Sequence, residues 1–395
     1  MSYSLEACVP APVCQDSTTK FNSLDSIVDI GDYLGDPKDG TWVGQGEPKQ
    51  MGDNVLLTMP KDSSGSLLSS STYMWYGNVK ATLKTSRGAG VVTAFILFSD
   101  IKDEIDYEFV GVDLKTAQTN FYFQGIPDYE NSGNVSVTDT YSEFHDYEIQ
   151  WTPDKIDWLI DGKIGRTQKR SDTWNETSQQ WEFPQTPARV QLSLWPGGLA
   201  TNAKGTIDWA GGEIDWSSDE VKKAGYYFAT VKEVTIECYN AKSAPGTNNG
   251  KSYSYTSLKG TNDTVEDGDK DTVLASLLGS GLDMEAGKDD ATKTDGGSKP
   301  TNTAASIPGE GGSAGQDHSG ESTSTSGGQG GGAAGSSPDS AGGDPSKCDI
   351  SKFNSDCGEG DSGSSSGKGG GKSSGSQTSA SALAMVIAGA ALYWL

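Results

Sequence analysis

Histidine is almost absent from this sequence. His145 and His318 are the only two among 395 residues, and the five cysteines, Cys8, Cys14, Cys238, Cys348 and Cys357, contain no C-x-x-C pair. A structural zinc site or a Cys/His nucleophile system is therefore poorly supplied, and neither a metal nor a cofactor is expected. Positive charge is also scarce: 30 Lys and Arg face 54 Asp and Glu, a formal net charge of −24. That balance argues against nucleic acid, whose affinity comes mainly from cations on phosphates. It argues equally against electrostatic docking on anionic lipid, and is compatible with an uncharged partner such as a polysaccharide. Apolar residues make up only 33% of the chain and concentrate before about residue 240, while many of the 52 glycines fall later. One sizeable folded domain is the economical reading, because the remainder cannot bury enough surface to offset its ordering entropy.

Long helical periodicity is missing too. Between residues 21 and 240 the chain shows short alternating segments separated by Gly, Asn, Asp and Pro. Examples are Val79-Lys80-Ala81-Thr82-Leu83-Lys84, Tyr147-Glu148-Ile149-Gln150-Trp151 and Val231-Lys232-Glu233-Val234-Thr235-Ile236. Alternation of this kind predicts half-buried strands, and its regular recurrence predicts an all-β sandwich. Ile156 to Lys163 reads as a strand entering an Asp161-Gly162 hairpin turn.

The flanking segments differ. Residues 1–20 are a polar entry in which Cys8 and Cys14 suit a small disulfide loop, as Cys348 and Cys357 do later, leaving Cys238 odd. Residues 241–381 are rich in Gly, Ser, Thr and Asp, as a disordered, O-glycosylated stalk would be. Residues 382–395 form a short apolar end preceded by Gly369-Gly370-Gly371 and a polar spacer. This matches a GPI-attachment signal, with an ordinary tail anchor as the alternative. Sequons at Asn134, Asn175 and Asn262 also point to an extracellular, glycosylated protein. No apolar leader follows Met1, and since a GPI signal serves only a chain that enters the secretory route, an incomplete N-terminus is expected.

The sharpest chemical feature is Asp103-Glu104-Ile105-Asp106-Tyr107-Glu108-Phe109. On a strand, Glu104, Asp106 and Glu108 share one face, while Ile105, Tyr107 and Phe109 turn into the core. Three like charges in a row repel, which an ordinary sheet avoids; alone, the triplet fits a solvated edge strand equally well. Retaining glycoside cleavage needs such a row, one carboxylate to attack the anomeric carbon and one acid, its pKa raised, to protonate the leaving oxygen. A straight strand puts the outer Cα atoms roughly 13 Å apart at about 3.3 Å per residue. Retention wants the carboxyls about 5–5.5 Å apart, so the side chains must lean together on a concave sheet. Glu213-Ile214-Asp215-Trp216-Ser217 copies half the motif but ends in Ser217, and is not expected to be catalytic.

The Glu-Ile-Asp-Tyr-Glu run resembles the signature of family 16 glycoside hydrolases. Blocks from Trp75-Tyr76-Gly77 through Gly90–Phe95 to Glu108–Gly111 resemble their fungal Crh branch. So do Thr119–Gly125, Phe144–Tyr147, Ser193-Leu194-Trp195-Pro196-Gly197-Gly198 and Gly205–Gly212. The likeness spans residues 21–240. It implies a concanavalin-like β-jelly roll and a cell-wall transglycosylase that cuts chitin and passes the piece to β-glucan or chitin-oligosaccharide acceptors. The roles it implies are nucleophile for Glu104, acid/base and substrate contact for Glu108, and orienting partner for Asp106. It also implies Gln191, Trp195 and Thr206 in the sugar-binding cleft, with no counterpart for the chitin-binding module of some relatives. Trp195, at the end of an alternating segment, is expected at the cleft rim as a stacking platform. Trp151, Trp158, Trp209 and Trp216 are expected mainly in the core, and His145 as a structural hydrogen-bonding residue. A monomer anchored to the membrane or wall by a GPI lipid completes the expectation. A hydrolytic endo-β-glucanase or chitinase, a lectin-like binding module and a purely structural wall glycoprotein are the alternatives.

Overall fold

The computed structural model describes residues 5–288; the apolar end at 382–395, most of the stalk, Cys348 and Cys357 lie outside them. Two large sheets face each other. The front sheet runs Gly133–Ser136, Thr116–Tyr122, Glu104–Val110, Val91–Ser99, Ala188–Pro196, Ser66–Met74, Trp42–Gln45 and Ile27–Asp29. The back sheet runs Lys163–Lys169, Lys155–Ile160, His145–Trp151, Gly77–Lys84, Tyr226–Cys238, Asn54–Pro60 and Lys49–Met51, with Ser17–Lys20 added to Tyr226–Cys238. Nearly all pairings are antiparallel, which suits strands that bury one face and leave the other for solvent or ligand. The all-β jelly-roll expectation is met, with two short α-helices among the described residues, Lys204–Trp209 and Asp219–Ala224.

Alternation does most of the assembly. Val79, Ala81 and Leu83 point inward from one sheet, and Ile105, Tyr107 and Phe109 from the other, all buried in one continuous core. Trp151 and Trp158 belong to it as expected. The Asp161-Gly162 turn joins Lys155–Ile160 to Lys163–Lys169, with φ of 51° and 73° at its two central residues. Positive φ at both positions is what a tight hairpin of this hand requires. His145 Nδ1 lies 2.8 Å from Asp161 Oδ2, so this histidine ties the turn to the neighbouring strand.

Two boundaries differ from expectation. The disulfide is Cys14–Cys238, with Cα atoms 5.9 Å apart, and Cys8 is free and exposed. Pairing of Ser17–Lys20 with Glu233–Ile236 carries Cys14 to the end of the long back strand, away from a local loop with Cys8. The fold also continues past residue 240. Ser252–Tyr255 and Val265–Gly268 pair with each other, and the former with Ala11–Pro12, in a small third sheet. Tyr253 packs edge-on against Trp75 at 5.7 Å and is buried. Ala11–Pro12 and Ser17–Lys20 are thus part of this fold, and the rest of the expected stalk lies outside the described residues. No helix among the described residues is long and apolar enough to cross a membrane.

Candidate active site

The strand Glu104–Val110 sits between Val91–Ser99 and Thr116–Tyr122 in the front sheet. Its inner side chains lock it in place. Tyr107 Oη–H donates to the Leu159 carbonyl at 2.9 Å, and Trp158 Nε1–H donates to the Asp106 carbonyl at 3.0 Å, both across the core. At its start, the buried Asp103 carboxylate accepts from the Gln124, Gln185 and Thr186 amides and from the Thr186 hydroxyl. Asp103 is therefore a splice between loops, outside the outward row.

Glu104, Asp106 and Glu108 project together from the opposite face. Glu104 and Asp106 are 6% and 1% exposed, and Glu108 is half-buried. Burial raises the Glu108 carboxyl to about 8, helped by the neighbouring Asp106 charge. Burial also pushes Glu104 up to about 8, opposed by a hydrogen bond with Asp106. Asp106 is driven well above its usual range by burial and by Glu104. Neither Asp106 carboxyl oxygen receives a hydrogen bond from an N–H or hydroxyl of the described residues. Two carboxyls can bond only if one keeps its proton, so Glu104 and Asp106 titrate as a coupled pair that shares one proton. A positive influence on Asp106 comes from Arg166, which stacks over Trp158 at 4.5 Å and donates to the Thr119 carbonyl at 2.9 Å. Burial lowers this guanidinium to about 10.

Strand register extends the site sideways. Gln191 lies beside Ile96, which lies beside Asp106, so Gln191 is in line with the row; its Oε1 is buried without a hydrogen-bond partner. Trp195 shares the Gln191 face, but it is 6% exposed and packs with Val92, Ala94, Ile96 and Ala210. Its ring stacks on Trp209 at 6.0 Å and 22°. The strand-end position is as expected; exposure at a rim is not, because the helix Lys204–Trp209 folds over the ring. Thr206 lies within that helix and is fully buried. Tight glycine contacts seat it: a Cβ at Gly198 would come within 2.5 Å of Gly90 Cα and 2.3 Å of the Gly212 oxygen, so only glycine fits.

Three residues were not singled out from sequence. Gln118 lies opposite Glu108, Asn120 opposite Asp106 and Tyr122 opposite Glu104. Asn120 Nδ2–H donates to Tyr122 Oη at 2.6 Å, and Trp209 Nε1–H donates to Gln118 Oε1 at 2.8 Å. Burial, then the three carboxyls, raises the Tyr122 phenol. The signal was available: Ala117, Thr119 and Phe121 alternate with these three polar residues, as in the strand beside them. Among the sequons, Asn134 is exposed, Asn175 donates to Glu182 at 2.8 Å and Asn262 lies 3.4 Å from Tyr76 Oη. No group of three or more His, Cys, Asp or Glu among the described residues is arranged to hold a metal ion.

Residues 36–211 match the glycosyl hydrolases family 16. Over 338 residues the chain is 49% identical to Crh-like protein 2 of Aspergillus fumigatus, covering 82% of this chain and 76% of that protein. The chain belongs to family 16. Over 288 residues this Crh-like chain is also 61% identical to Crh-like protein 3 of Botryotinia fuckeliana, covering 73% of the chain and 65% of that protein's length. Among solved structures, the apo Crh5 transglycosylase is similar with a TM-score of 0.54 and 31% identity, covering 66% of this chain and 98% of that one. The family 16 match contains the whole carboxyl row as well as Gln191, Trp195 and Thr206.

Proposed function

We propose that this chain is a retaining transglycosylase of the fungal cell wall, acting on chitin as donor and on β-glucan or chitin oligosaccharides as acceptors. The observation that carries the reading is the buried carboxyl row, in which Glu104, Asp106 and Glu108 share one face of a strand and burial raises all three carboxyls. Glu104 attacks the anomeric carbon, and Glu108 gives its proton to the departing glycosidic oxygen. The product is a glycosyl ester on Glu104. Glu108, now a carboxylate, takes the proton from an acceptor hydroxyl, whose oxygen attacks the anomeric carbon and releases Glu104. Asp106 orients Glu104 and disperses its charge. Gln191 offers an amide to sugar hydroxyls, and Trp195 and Trp209 form an apolar wall for a ring.

Support for the donor comes from the similar Crh5 transglycosylase, whose structure was also solved in complex with NAG. Transfer competes with hydrolysis through the acceptor alone: a sugar hydroxyl or water meets the same intermediate. Placement outside the cell, N-glycans at Asn134, Asn175 and Asn262, a GPI anchor and a monomeric state complete the proposal. The test is incubation of the purified chain with chitin oligosaccharides and a fluorescent β-glucan acceptor. Labelled hybrid products are expected; free shortened oligosaccharides alone would make the chain a hydrolase, and unchanged oligosaccharides would remove the activity.

A further inference from the structure

We propose that the outer face of the back sheet carries a second saccharide-binding site, formed around Tyr141, Phe144 and Phe228. Inward residues fix which side chains reach that face. Leu83, Val55, and Tyr227 with Ala229 enter the core, so Lys84, Asn54, Phe228 and Thr230 on the same strands point outward. Together with Tyr141 and Phe144 they line a cavity of about 270 Å³. The core separates it from the carboxyl row.

Three features give the cavity its chemistry. No Asp or Glu lines it, although acids outnumber bases 54 to 30 in the chain. Its aromatic wall is held in place by cations. The Lys84 ammonium sits 4.8 Å from the Phe144 ring centre and donates to the Ser142 carbonyl, and the Arg87 guanidinium sits 4.3 Å from that of Tyr141. Asn54 and Thr230 add an amide and a hydroxyl to the lining. Elsewhere on this face the outward groups pair with one another, as Lys80 and Thr82 do with Asp146, so the aromatic surface is confined to one end of the sheet.

The occupant that fits is a neutral pyranose unit of a β-linked polysaccharide. A sugar ring offers an apolar C–H face to an aromatic ring and hydroxyls to amide and hydroxyl groups. The volume is at the small end for ligand pockets, about one ring, and too small for a helix. Choosing a polysaccharide rests on the cell-wall reading above. One molecule would then hold a polymer on its back face while the cleft on its front face works on another segment.

The test uses the full chain carrying Glu104→Gln, so that retention is measured without turnover. Phe144→Ala alters a residue 39% exposed and leaves the core intact. Retention on insoluble β-glucan and chitin particles is expected to fall by about fivefold, the size of one lost stacking contact, and to return with Phe144→Tyr. In the active chain, kcat and KM on soluble oligosaccharides stay unchanged. Unaltered retention in both Phe144→Ala and the Tyr141→Ala, Phe144→Ala double variant would overturn the site. So would a parallel loss of soluble-substrate activity, or a dimer in light scattering that Phe144→Ala dissociates. Failure of the cleft mechanism would show only as turnover surviving in the Glu104→Gln chain, and leaves the retention result readable.

Discussion

Glu108 carries a cost that changes with pH. Its carboxyl titrates near 8 in the fold against an ordinary 4.5, because burial disfavours the charged form. Between those values the folded chain holds a proton that the unfolded chain releases, so this contribution to stability is intact below pH 4.5 and is lost as pH rises towards 8. Glu108→Gln removes the titration. The variant should match the parent's melting temperature near pH 4.5 and exceed it at pH 8, by up to a few kcal/mol in stability. A constant difference across that range would contradict the raised carboxyl. Trp195 raises the opposite concern. As a ring buried between Trp209, Val92 and Ala210, it supports the cleft floor as well as facing it. Trp195→Ala is expected to cost about 3–5 kcal/mol in denaturant unfolding, the range for emptying a large core aromatic site. A loss under 1 kcal/mol would return it to the rim.

At the scale of elements, the long strand Tyr226–Cys238 joins both ends of the fold. It pairs with Gly77–Lys84, Asn54–Pro60 and Ser17–Lys20, and ends in the bond to Cys14. That bond spans 224 residues, and closing so long a loop constrains the unfolded chain strongly, an effect of about 2–5 kcal/mol. Replacing Cys14 and Cys238 by Ser should therefore lower the melting temperature markedly, whereas Cys8→Ser should leave it unchanged. The reverse pattern would restore the local Cys8–Cys14 loop. Proximity in sequence favoured that loop. The true partner is brought close only by strand pairing across the whole domain, which no local spacing records.

Over the whole molecule, what was legible is what repeats locally. Alternation in Val79–Leu83 and Glu104–Phe109, and the Asp161-Gly162 turn, specify strands, faces and a hairpin from a few adjacent residues each. Less legible was whatever depends on distant cover. Residues 241–288 have the composition of a linker, yet Tyr253 finds Trp75 and Leu274 N donates to the Leu34 carbonyl, so a polar segment is ordered by the domain it lies on. Trp195 reads as a rim residue until the short helix Lys204–Trp209 is seen over it. The partners Gln118, Asn120 and Tyr122 lie on the next strand, and only the register shows which of them faces which carboxyl.

The chemistry proposed for the row comes down to one bond, the ester between sugar and Glu104. In Glu108→Gln, an aryl chitooligosaccharide whose phenolate leaves without acid help should load Glu104 but be slow to release it, since no base activates the acceptor. Quenching that reaction and mapping its peptides by mass spectrometry should find the glycosyl group on the peptide holding Glu104, and none when Glu104→Gln is added. Release of phenolate with the sugar on another residue, or with no adduct at any time point, would contradict a covalent mechanism through Glu104.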